Sequence, residues 1–309
     1  MASPRTTYGR GGHTRNATQG SETSNPGLRV LKLLLGSILL SAALTANAQT
    51  VTLTSAADDG RPVDTIIRQI EKLSGIPINY EDILYSNPAD TKDVGASVAP
   101  GSHLIVPRGG TLSIAVGVDA ITQKLADSVS TANALNALIA AANTSPVIAG
   151  RFKLDSYNNT FFVVPTHSRS ETTNNMSPVT AVLSTPIDLS GVQQTAFEAL
   201  RDILGQVSKA TGVTVKIGTI PIKPFAVTKT AIAASNQPAS YVLTRLFNAI
   251  ATAGGAPPYF TGMSYHAFRD PIAKYYVLNI SAVRDPNPPD STPPPQPTPG
   301  VRSRGVKQQ

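Results

Sequence analysis

The sequence predicts an α+β protein of two tandem small units, each a short mixed sheet with two helices packed on one face. Three observations carry this. Apolar residues recur at helical spacing in two separated stretches, and a glycine stops each one. A short alternating strand follows each glycine. Each stretch then closes with a second helix and a strand pair.

The first unit spans residues 49–169. Val63, Ile66, Ile67, Ile70 and Leu73 fall on one helical face, and Gly75 ends that helix. Ile76, Ile78 and Tyr80 then alternate as a strand. An insertion runs through residues 81–110, and a strand is expected over 111–116. Leu135, Leu138 and Ile139 mark a helix over 127–143. Strands over 151–156 and 160–165 meet at Tyr157-Asn158-Asn159.

The second unit spans residues 179–285 and repeats the order. Leu200, Ile203, Leu204 and Val207 lie on a helix that stops at Gly212, and Val213, Val215 and Ile217 alternate. Gly75 and Gly212 are 137 residues apart, an offset that superimposes Ile66 on Ile203, Ile70 on Val207 and Ile78 on Val215. A helix over 238–253 leads into strands near 262–268 and 274–282. Residues 170–178 between the units are polar and read as a linker.

Both ends differ from the units. In residues 1–48, a polar extension precedes Arg29 and Lys32, an apolar run from Leu33 to Leu44, and Ala46-Asn47-Ala48. That is the grammar of a signal peptide, with cleavage expected after Ala48. The apolar run is shorter than the ~20 residues a membrane span needs. Residues 286–309 are rich in proline from Pro286 to Pro299 and read as a disordered, extended spacer. Export places the protein in the periplasm or outside the cell, peripheral to the membrane at most.

Charge and composition narrow the function. The chain carries 26 basic and 19 acidic residues, and residues 1–48 hold five of the former and one of the latter. The remainder is therefore close to balanced, so nucleic acid is not expected as a partner. Cysteine is absent, which excludes disulfides, thiolate metal sites and a cysteine nucleophile. His103, His167 and His266 show no metal-ligand spacing, and no nucleophile elbow or phosphate loop is present. No enzyme activity, cofactor or metal is expected.

Two groups of residues stand out. Tyr265, Phe268, Tyr275 and Tyr276 crowd the last strand pair. Alternation forbids Tyr275 and Tyr276 from entering one core, so this hairpin is a candidate interaction surface. Asp82 and His103 in the insertion are candidate contacts for a ligand, because a long loop in a compact domain is usually functional.

In the second unit, Gln206-Val207-Ser208-Lys209-Ala210-Thr211-Gly212-Val213, then Val242-Leu243 and Leu246-Phe247, resemble the secretin and TonB N-terminal short domain. The first unit, with Ile70-Glu71-Lys72-Leu73-Ser74-Gly75-Ile76, resembles it less closely and departs by its insertion. The resemblance implies a periplasmic protein–protein module whose partner is a secretin, a TonB-system protein or a related envelope protein. No outer-membrane barrel of the kind that usually accompanies such domains is expected. The leading expectation is a non-enzymatic envelope adaptor. The alternative is a peptidoglycan or glycan binder that uses the insertion.

Overall fold

The computed structural model describes residues 48–99, 101–253 and 259–286. The signal segment, and the proline-rich stretch beyond Pro286, lie outside the described residues. The first half contains β1 (Ala48–Thr54), α1 (Pro62–Ser74), β2 (Ile78–Glu81), β3 (Thr91–Asp93), α2 (Gly95–Val98), β4 (Ile105–Pro107), β5 (Ser113–Asp119), α3 (Ser128–Thr144), β6 (Gly150–Tyr157) and β7 (Thr160–Arg169). After β8 (Met176–Pro178) the second half contains β9 (Pro186–Ser190), β10 (Gln194–Thr195), α4 (Ala196–Thr211), β11 (Val215–Ile217), α5 (Ile222–Val227), β12 (Lys229–Thr230), β13 (Ala233–Pro238), α6 (Ala239–Thr252), β14 (Phe260–Arg269) and β15 (Tyr276–Arg284). This is the α+β class that the sequence predicts.

One set of strand pairings occurs in both halves. β1 pairs β5 and β9 pairs β13, both antiparallel. β2 pairs β7 and β11 pairs β15, both parallel. The β6–β7 and β14–β15 hairpins close each half. The likeness extends to single hydrogen bonds. Gly75 and Gly212 both take left-handed φ, 65° and 70°, and cap α1 and α4. Beyond them, the amides of Ile76 and Val213 donate to Ser74 Oγ and Thr211 Oγ1, each at 3.1 Å. The amides of Ile78 and Val215 donate back to Glu71 Oε1 and Ser208 Oγ on the helices, each at 3.0 Å.

The halves do not keep separate sheets. Their main strands join in the order β11-β15-β14-β2-β7-β6, because β14 lies parallel to β2. β2 and β11 therefore run in opposite directions, and the halves present opposite faces. Ile78, Tyr80, Phe161 and Val163 enter a core with Ile66, Ile67 and Ile70 of α1 and Leu135 and Leu138 of α3. The intervening Phe162 and Val164 enter the other core, with Leu200 and Ile203 of α4 and Val242 and Leu246 of α6. The expected single covered face thus becomes a shared sheet covered on both faces. Each half places its helices on one of them.

Two further expectations change. Part of the 170–178 linker is ordered: Met176–Pro178 forms β8 and pairs antiparallel with the end of β7. The insertion carries its own hairpin, β3 with β4, rather than open loop.

Candidate protein-docking edge

The candidate hairpin surface is corrected first. Tyr265 and Tyr276 are 1% and 2% exposed and fill the core under α4 and α6. They cannot meet a partner. Phe268 and Tyr275 point to the other face and are half-buried. Phe268 lies 4.8 Å from the Arg61 guanidinium, and Lys216 Nζ sits 3.7 Å above the Tyr275 ring. The two layers of helices explain the difference, since both faces of β14 gain cover.

Asp82 is corrected too. It is fully buried at the end of β2. Its carboxylate accepts from Arg61 Nε at 2.7 Å, Tyr80 Oη at 2.9 Å and Tyr85 Oη at 2.7 Å. Burial pushes this carboxyl up, while Arg61 and the tyrosines pull it back. Asp82 anchors the insertion to the start of α1 and offers nothing to a ligand. His103 is exposed, with Nδ1 2.7 Å from Asp93 Oδ2. His103 and the amides of Gly95 and Leu104 pull Asp93 down to about 2. The six candidates therefore do not converge on one site.

What the fold does build is a polar seam where β14 meets β2. His266 Nδ1 donates to Asp64 of α1. The Tyr265 amide donates to Asn79 Oδ1 at 2.8 Å, and the Asp82 amide to Ala267 O at 2.9 Å. Ser264 bonds Glu71. On the other face, Glu81 accepts from the amides of Val182 and Leu183, the latter at 2.9 Å. Burial opposes charge on Asp64, but His266 and Arg68 outweigh it and hold that carboxyl below its ordinary value. Burial pushes Glu81 up to about 7 against the pull of its two amides.

The counterpart of this seam in the second half is open. β11 is the end strand of the sheet, paired on one side with β15. Between it and α4 runs a groove of about 470 Å³. Leu204 and Val215 form its floor and Phe197 one wall, with Arg201 and Lys216 at the rim. With the 137-residue offset, Arg201 stands where Asp64 stands, Gly205 for Arg68, Ser208 for Glu71, and Ile217 for Tyr80. In the first half Ser264, His266 and Phe268 of β14 fill that space. Here no strand among the described residues takes that place.

The opposite edge is closed differently. On β6, the Phe152 amide donates to Asn143 Oδ1 at 2.8 Å, and Asn143 Nδ2 donates to Phe152 O at 2.9 Å. A helix side chain thus occupies backbone groups that a neighbouring strand needs.

The insertion walls a smaller pocket of about 180 Å³. Arg61, Arg108, Arg169, Asp90, Tyr85 and Phe152 line it. Asp90 pairs with Arg169 at 3.2 Å through one oxygen, while its other oxygen is buried without a partner.

Sequence reasoning passed over Arg201 and Lys216. The signal was present: Phe197, Arg201, Gly205 and Ser208 recur every three or four residues on one face of α4. That face carries one large apolar residue that the core does not use. Among the described residues, no helix is long and apolar enough to cross a membrane. No protein-family model, curated protein or solved structure matches the chain.

Proposed function

We propose that this chain is an exported, non-enzymatic protein–protein interaction module of the bacterial cell envelope. It is a periplasmic adaptor of the secretin or TonB-system kind, built from a duplicated unit that resembles their short N-terminal domain. The observation that carries this reading is the open β11 edge with its apolar groove, whose counterpart in the same chain is filled by a strand. Exposed strand edges bind partners through main-chain hydrogen bonds, and adjoining pockets select side chains. The signal segment and the absence of cysteine suit a cleaved, exported protein, peripheral to the membrane at most.

The test is capture of crosslinked envelope proteins by the mature chain, beside an Ile217→Pro variant that removes a donor on the side of β11 facing away from β15. The reading expects a defined protein recovered by the first and lost with the second. Equal recovery, or none, overturns it.

A second reading has its own support. The pocket walled by the insertion combines arginines, aromatic rings and the unpartnered Asp90 oxygen, a mixture that suits a glycan or peptidoglycan fragment. Sedimentation with purified cell-wall sacculi separates the two, because an adaptor stays in the supernatant.

A further inference from the structure

We infer that the groove between α4 and β11 receives an extended segment of a partner protein, running parallel to β11, with an acidic side chain placed over Arg201. The inference rests on the protein-binding reading and specifies its contact.

The direction follows from the chain's own precedent. β14 runs parallel to β2 with His266 opposite Tyr80 and Ala267 opposite Glu81. The turns that lead into β2 and β11 share their glycine, cap and back-bonding geometry. A strand seated on β11 as β14 sits on β2 therefore runs the same way.

The chemistry follows from the substitutions between the two grooves. His266 meets the carboxylate of Asp64, and at that place the second groove offers Arg201. An acceptor on the helix is thus exchanged for a donor, and the charge the site asks for changes sign. Ser264 meets Glu71 in the first groove, whereas Ser208 stands there in the second, above Leu204 and Val215, so a small apolar side chain fits. Phe268 lies 5.9 Å from Arg68. Gly205 replaces that arginine, leaving room for a large apolar side chain. The lining holds two cations and no acid among the described residues. The pattern sought is small apolar, acidic, large apolar at alternating positions.

A second copy of this chain fits poorly. The other end of its main sheet is β6, where Leu154 pairs with Val163 as Ala267 pairs with Leu278. Lys153 therefore takes the place of His266 and would face Arg201. Asn143 also occupies the backbone of Phe152. The occupant is accordingly a different protein.

The probe is a fluorescein-labelled peptide, Thr-Val-Thr-Glu-Thr-Phe-Thr, with a twin that carries Lys in place of Glu. Fluorescence anisotropy reads both against the full mature chain and against Arg201→Glu, an exposed substitution outside the core. The wild-type chain should prefer the acidic peptide by about tenfold, and Arg201→Glu should reverse the preference. A nitroxide at the peptide's C-terminus should broaden the Ile217 and Gly218 amides, not Val213. No binding at about 1 mM peptide, or the same preference in both proteins, overturns the inference. Broadening at Val213 overturns the parallel direction. If the peptides fail while envelope capture by the mature chain succeeds, the protein-binding reading stands and its contact lies elsewhere.

Discussion

Asp64 accepts a hydrogen bond from His266 Nδ1, a residue 202 positions later in the chain. Both groups are buried, Asp64 at 6% exposure and His266 at 1%. The pair ties α1 of the first half to β14 of the second, inside a sheet to which both halves contribute strands. Removing one partner leaves the other buried and unpaired, which costs more than the bond itself contributes.

Asp64→Ala should therefore lower stability by about 2–4 kcal/mol. The loss should reach both halves, because β14 and β15 share the sheet with β2 and β7. Native-state hydrogen exchange is the check. The amides of Ile78 and Leu278 should speed up by the same factor. Faster exchange at Ile78 alone would mean that the halves unfold independently.

Glu81 should titrate far from an ordinary glutamate. Its carboxyl is buried and shifted from 4.5 to about 7. The folded protein then binds this proton more tightly than the unfolded chain does. The contribution to stability is complete below pH 4.5 and is lost as pH rises toward 7. Carbon-detected NMR of glutamate carboxyls should show one midpoint near 7, absent in Glu81→Gln. A full set of midpoints near 4.5 would contradict the burial argument.

The two equivalent glycines should differ on substitution. Gly212→Ala forces an L-residue into φ 70° with no atom in the way, and should cost about 1 kcal/mol. Gly75→Ala has the same backbone problem, but the new methyl also meets Pro286 and the Arg284 carbonyl, the latter at 3.2 Å. It should cost clearly more. Urea midpoints of the two variants decide this, and equal shifts would show that the end of β15 does not pack on this turn.

Asn143→Ala should uncover the β6 edge. Phe152 loses both of its helix-borne partners, so its amide should exchange faster by about tenfold, for a loss near 1.4 kcal/mol. Unchanged exchange at Phe152 would remove Asn143 as the guard of that edge.

Much of this fold was legible in the sequence, for a physical reason. The faces of α1, α3, α4 and α6 are set by local periodicity, and Gly75 and Gly212 need left-handed φ wherever they stand. The shared sheet was not legible. On β2 and β14, Asn79, Glu81, Ser264 and His266 alternate with apolar residues and read as a wet face. They are buried because they bond partners distant in sequence, the Tyr265 amide for Asn79, the Val182 and Leu183 amides for Glu81 and Asp64 for His266, at separations of 101 to 202 residues that no local pattern records. The same blindness placed Tyr265 and Tyr276 at a surface and Asp82 in a loop. The docking edge was half legible: Phe197 and Arg201 lie on a readable helical face, but only the filled counterpart shows that no described strand takes the matching place.

The most direct measurement is photo-crosslinking in the living cell, with a benzophenone amino acid placed at Lys216 on β11 or at Lys153 on β6, both exposed. The account predicts a protein adduct from position 216 and none from position 153. No adduct at 216, or equal adducts at both positions, would contradict a docking edge at β11.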